Sequence, residues 1–324
     1  MFAHNKVNRT AAQSPAQDSR LYCQPPHLVK LQAQAQSFSL LPHLMSGSRM
    51  SGRHQALFRG RGLKFEELRH YQQGDDIRNM DWKTTFRVGK PYVRSYTEEK
   101  DRNVMVVVDQ RPNMFFSSLS VMKSVVAAET AALCAWQTLK QGDRVGFLFA
   151  DCRGISAFPF QRSQAQLIHR LKHLAQANQS LSVDTPWVAS NHFSHIVAQL
   201  KRISPKAGTV IIVSDWIDAT QNDITMLKQL QAHNDLLCVM VSDPLEQALP
   251  SSLYSQAWVV GDGHQQISIQ GQLLTQVNKT LADTLSSRRQ NLSKIMHSQG
   301  LPLIELDTSG DHLSAFKRQV GGRG

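Results

Sequence analysis

No run of about eighteen apolar residues occurs in the chain, so no membrane-spanning helix is expected. The N-terminus has no apolar stretch behind its basic residues, which argues against a secretory signal. Cysteine is scarce: Cys23, Cys134, Cys152 and Cys238 show no paired metal-ligand spacing. Cys134 and Cys238 sit inside apolar runs, where a free thiol behaves as a small hydrophobe. These absences point to a reduced, cytoplasmic protein. Two catalytic motifs are missing as well, the Gly-Lys-Ser/Thr phosphate loop and the Gly-x-Ser-x-Gly elbow, so neither nucleotide hydrolysis nor serine catalysis is expected. Gly60-Arg61-Gly62 is no dinucleotide fingerprint, because Phe65 takes the place of the third glycine. There are no internal repeats.

Charge is plentiful. Lys and Arg number 36 against 25 Asp and Glu, a formal net charge of +11. That excess makes nucleic acid the alternative partner. In residues 51–102, however, the bases alternate with Glu66, Glu67, Asp75, Asp76, Asp81, Glu98, Glu99 and Asp101, so internal ion pairing competes with a phosphate-binding face. An acidic protein partner would also suit the excess. Phe58, Phe65, Leu68, Tyr71, Ile77, Met80, Trp82, Phe86, Tyr92 and Tyr96 thread the same stretch. Aromatics among charges suggest a compact, ion-paired module whose rings anchor it to a larger domain.

From residue 103 the pattern changes. Val104-Met105-Val106-Val107-Val108 ends in Asp109, Val210-Ile211-Ile212-Val213-Ser214 ends in Asp215, and an apolar run from Leu236 ends in Asp243. Short β-branched runs without alternation indicate strands buried on both faces, as in a parallel sheet. Helical periodicity separates them over 118–141 (capped by Ser117/Ser118, stopped by Gly142), 164–176, 191–203 and 223–233. Residues 144–150 read as a strand that 154–160 joins as an antiparallel hairpin, the link being too short for a crossover helix. Further strands are expected at 257–260, 267–269 and 303–306, with a long helix over 273–297. The expected fold is a doubly wound, mainly parallel α/β sheet. The expected division is a flexible 1–26, a helix and charged module over 27–102, the α/β domain over 103–310, and a tail over 311–324. Within 27–102 the helix is placed at 27–44, and 92–96 alternates like an exposed strand.

Ligands of such sheets bind beyond the carboxyl ends of the strands, where Asp109, Asp215 and Asp243 would stand. Clustered carboxylates suggest magnesium; the competing reading is that each caps a helix or bonds turn amides. His169 and His173 are four apart, a spacing that can hold zinc, but no third ligand is evident. Around Asp75-Asp76 the arginines Arg69, Arg78 and Arg87 favour structural bridges over acid/base chemistry. No enzymatic activity is expected.

The pieces Gly52-Arg53-His54, Arg59-Gly60-x-Gly62-x-x-Phe65-x-Glu67-x-Arg69-x-Tyr71, Gly74-Asp75-Asp76-x-Arg78-x-x-Asp81-Trp82 and Glu98-Glu99 stand at fixed spacings, followed by Asp109, Lys123 and Gly142-Asp143-Arg144-Val145-Gly146. In these the chain resembles the bacterial family called domain of unknown function 58. The resemblance implies a von Willebrand factor A-like domain behind the signature. It also implies partnership with a MoxR-type AAA+ ATPase in chaperone-like assembly or maturation. Within the signature, Arg69, Asp75, Asp76, Arg78, Asp81 and Trp82 are the residues expected to meet the partner. A von Willebrand A domain holds a divalent ion through Asp-x-Ser-x-Ser, a threonine and a later aspartate. Here the first motif reads Asp109-Gln110-Arg111-Pro112-Asn113, Asp215 matches the last ligand, and only Ser190-Asn191 stands near the threonine. Asp109, Asn113 and Asp215 thus form a degenerate metal site expected to hold no ion, with Arg111 instead pairing Asp109 or Asp215. No cofactor is expected.

Overall fold

The computed structural model describes residues 18–35, 63–98, 102–186, 192–203, 205, 207–246, 258–261, 266–269 and 287–320. The chain divides into a small unit, Arg49–Arg102, and a larger one made of Met1–Ser48 and Asn103–Gly324.

Helix α1 (Pro25–Gln34) belongs to the larger unit, not with the charged module where the sequence reading grouped it. Prolines occupy its first turn, where a missing amide costs nothing. Leu28 and Leu31 are buried in the α/β core, which explains the reassignment. Residues beyond 35 of the helix expected over 27–44 lie outside the described part. The small unit pairs β1 (Leu63–His70) antiparallel with β2 (Tyr92–Glu98), from Leu63↔Glu98 to His70↔Tyr92. Between them lie a 3-10 turn at Ile77–Asn79 and helix α2 (Trp82–Val88), which Gly89 closes at φ +72°.

The larger unit continues with β3 (Asn103–Gln110), α3 (Lys123–Lys140), β4 (Arg144–Asp151), β5 (Gly154–Gln161), α4 (Gln164–Gln179), α5 (Phe193–Ile203) and β6 (Thr209–Ser214). Then come α6 (Gln221–Gln231), β7 (Asp235–Ser242), β8 (Trp258–Gly261), β9 (Gln266–Ile269), α7 (Ser287–Ser298), β10 (Leu303–Asp307) and α8 (His312–Val320). Six strands form one sheet in the order β10-β7-β6-β3-β4-β5. All are parallel except β5, the edge hairpin partner of β4. This is the doubly wound, mainly parallel α/β sheet the sequence predicts. β8 and β9 form a separate antiparallel pair. The helix expected over 273–297 is described only at Ser287–Ser298.

Strand β3 shows why its sequence does not alternate. Val104, Val106 and Val108 face a core with Val125, Leu133 and Trp136 of α3. Met105 and Val107 face a second core with Phe193 and Val197 of α5 and Ile224 of α6. Both faces are dry, so both must be apolar.

Helix α3 departs from expectation in two ways. It starts at Lys123, and Ser118, expected as a cap, bonds Asp243 instead. Its residues from Lys123 to Thr138 are all buried rather than striped. The outer side is covered by α1, whose Leu28 carbonyl accepts from Trp136 Nε1 at 3.0 Å, and by α8. The expected C-terminal tail is thus α8, with Phe316 and Val320 in the core, because α3 would otherwise expose apolar surface. Nor are the residues just before α1 loose: Cys23 is buried, its amide donating to Asn178 Oδ1 at 2.7 Å, and Tyr22 Oη donates to the Leu181 carbonyl.

Candidate functional site

Parallel pairing sets Val108 opposite Val213, so Asp109, Ser214 and Asp215 leave the sheet side by side at its carboxyl edge. Arg111, three residues past the end of this alignment, folds back with none of its side chain exposed. Its Nε donates to Asp109 Oδ1 (3.0 Å) and its Nη2 to Asp109 Oδ2 (2.8 Å). The same guanidinium bridges to Asp218, Nη1 to Oδ2 at 2.9 Å and Nη2 to Oδ1 at 3.0 Å. Ser214 Oγ completes the shell of Asp109 at 2.7 Å. Burial alone would depress the Arg111 pKa, but Asp109 and Asp218 outweigh it and raise it.

A second cation stands beside the first. Lys123, the opening residue of α3, sends a buried Nζ to Asp215 Oδ2 at 2.8 Å and to Glu246 Oε1. Again burial opposes the charge and two carboxylates overcome it, so the ammonium's pKa is raised. Asp215 is correspondingly held below the usual carboxylate range: burial works against its charge, and Lys123 wins. The next residue, Trp216, takes the left-handed φ of +59°, a strained conformation for a bulky side chain. Its surroundings over-determine it: Nε1 donates to the Val239 carbonyl, its amide donates to Ser214 Oγ, and its ring packs 4.7 Å from that of Phe193.

The residues do not fit a divalent ion. Both oxygens of Asp109 face the guanidinium, and Asp215 faces an ammonium and an amide, so an ion would meet positive charge where it needs free oxygen. Asn113, placed by the sequence reading in a degenerate site at a serine position, presents no ligand oxygen to Asp215. It turns its nitrogen to Asp215, at 2.8 and 2.9 Å, while its Oδ1 is buried without a hydrogen-bond partner among the described residues. Ser190 and Asn191 lie outside the described residues. Asp243 follows the turn-bonding alternative, accepting from the Ser118 amide (2.7 Å), Leu245 amide (2.9 Å) and Thr308 Oγ1 (2.5 Å). The rings of His169 and His173 lie 5.0 Å apart and tilted, and among the described residues no group of three His, Cys, Asp or Glu could hold a metal.

In the small unit, Arg69 forms a two-pronged bridge to Asp75, 2.9 and 2.6 Å, and Asp75 also accepts from the Gln72 amide. Asp76 accepts from the Arg78 amide (3.0 Å), and Asp81 caps α2 through Thr84 N (2.8 Å) while accepting from Arg94 Nε (2.9 Å). Trp82 is 54% exposed and Phe86, one turn on, 82%.

Sequence reasoning missed Asp218, Glu246 and the role of Lys123. It also missed a cluster on α3. Buried Glu129 accepts from His312 Nε2 (2.9 Å) on α8 and pairs His27 Nε2 (3.0 Å) on α1. Burial would raise the Glu129 pKa, yet the two imidazoles pull it to about 2. The sequence signal was a lysine and a glutamate standing as the only charges before Lys140 in a mainly apolar helix.

Fold and site define a doubly wound α/β domain with an ion-paired carboxylate cluster at its carboxyl edge, in one chain with a small charged unit. The chain belongs to the family described as Protein of unknown function DUF58, which matches it over residues 67–256. It is 25% identical over 274 residues to Uncharacterized protein Rv1480 of Mycobacterium tuberculosis, covering 85% of this chain and 84% of the other. It is 29% identical over 111 residues to Uncharacterized protein YeaD of Bacillus subtilis, covering 34% of this chain and 26% of that one. Among solved structures, BatB of Bacteroides thetaiotaomicron aligns at TM-score 0.39 and 12% identity, over 68% of this chain and 97% of that one. The SpRpn10 VWA domain aligns at TM-score 0.38 and 12% identity, over 69% and 100%. No described helix is long and apolar enough to cross a membrane.

Proposed function

We propose that this chain is a non-enzymatic interaction protein of the cytoplasm, which its family resemblance pairs with a MoxR-type AAA+ ATPase in chaperone-like assembly or maturation. One observation carries the reading: Trp82 and Phe86 stand exposed one helical turn apart, 6.2 Å between rings, on a helix braced by Asp81 and Arg94. Exposed aromatics on a rigid frame are what a protein partner grips. The sheet edge supports the non-enzymatic half. Its carboxylates are taken up by the buried Arg111 and Lys123, and Asp215, held below the usual carboxylate range by Lys123, is unsuited to trade protons.

The test is co-purification of the chain with a MoxR-type ATPase of the same organism. Trp82→Ala and Phe86→Ala are expected to weaken retention by about tenfold or more. Asp75→Ala and Arg78→Ala probe the remaining signature residues. Retention that none of the four changes alters, or no retention by the wild-type chain, contradicts the proposal.

A further inference from the structure

We infer that Arg111 and Lys123 are built-in cations that supply, between them, the charge of one divalent ion, so that the cluster neither needs nor admits such an ion. Four carboxylates meet at the carboxyl edge: Asp109 and Asp218 on Arg111, Asp215 and Glu246 on Lys123. Bringing that many anions together in a poorly hydrated place requires positive charge close by. Both cations are within the fold, with side chains 0% and 1% exposed, and each spans two carboxylates from different loops. Together they do what a metal ion does at such an edge: they tie the loop after β3 to the loops after β6 and β7.

The inference goes beyond the interaction reading and does not depend on the partner. It carries a consequence for the ligand chemistry of the cluster. Without the ammonium, the oxygens of Asp215 and Glu246 would face each other across the vacated position. That set of oxygens suits a hard divalent cation.

The test is thermal melting of the full chain with Mn2+, with Mg2+ or with EDTA, joined to Mn2+ binding followed by electron paramagnetic resonance. The wild type is expected to melt at one temperature in all three conditions and to leave the Mn2+ spectrum that of the free ion. Lys123→Met is expected to melt lower in EDTA, to regain several degrees with Mn2+, and to bind the ion. Should Lys123→Met be unfolded in EDTA, Mn2+ is expected to restore its far-ultraviolet dichroism. Adding Asp215→Asn to Lys123→Met is expected to abolish the response. A wild-type chain that Mn2+ or Mg2+ stabilises overturns the inference, as does a Lys123→Met chain indifferent to Mn2+ in both melting and dichroism.

Discussion

Lys123 and Arg69 show how differently two ion-paired side chains weigh. The Lys123 ammonium is buried between Asp215 and Glu246, so Lys123→Met strands the buried Asp215 carboxylate without its cation. Removing one partner of a buried pair costs about 3–5 kcal/mol, and a denaturant midpoint lowered by that amount is expected. Arg69 and Asp75 meet in the open small unit, and Asp75→Ala is expected to leave the same midpoint nearly unchanged. The sequence placed Asp109 and Asp215 at one edge, because each closes an apolar run, and it set Arg111, from the displaced serine position, against one or the other. It assigned Arg111 a choice of two aspartates, and the structure divides that labour: Arg111 takes Asp109 and Asp218, Lys123 takes Asp215. Nothing local in the sequence ties residue 123 to residue 246, since that contact exists only once β7 has docked against β6.

At the scale of elements, helix α3 is the hub, and Glu129 fastens α1 and α8 to it. The sign of the pH dependence follows from the shifts. Glu129 falls from an ordinary 4.5 to about 2, so its contribution is complete above pH 4.5 and lost as pH falls toward 2. That contribution amounts to about 3 kcal/mol at neutral pH. Asp215 and Asp243, also lowered, add to the same acid limb. His27 is raised, chiefly by its bond to Glu129, so its smaller contribution is complete below pH 6.5 and lost as pH rises through the raised value. Glu129→Gln is therefore expected to flatten, without abolishing, the loss of stability between pH 4.5 and 2 in urea titrations. A slope equal to wild type contradicts the clamp. Gly208 gives a second element-scale expectation. A Cβ there would sit 2.5 Å from the Asn103 carbonyl oxygen at the start of β3, so Gly208→Ala should cost about 1–3 kcal/mol in a thermal melt. The strands were legible because burial on both faces leaves no polar alternation. The role of α8 was not, because its four buried or half-buried apolar positions, Leu313, Ala315, Phe316 and Val320, do not distinguish a docked helix from a polar tail until α3 is seen to need covering.

At the scale of the molecule, a basic chain carries its acidic residues in organised places. Among the described residues, one set lines the carboxyl edge of the sheet, another braces the small unit, and Glu129 ties α1 and α8 to α3. The bridges described in both sets stay within their own unit, and the exposed Trp82 and Phe86 of α2 are the surface the proposed partner would meet. The central claim is that side-chain cations stand where a metal ion would. An anomalous difference map from wild-type crystals grown with Mn2+ tests this most directly. The account predicts no peak between Asp109 and Asp215, with the Arg111 guanidinium and the Lys123 ammonium in clear density there. A manganese peak liganded by those two carboxylates would contradict it.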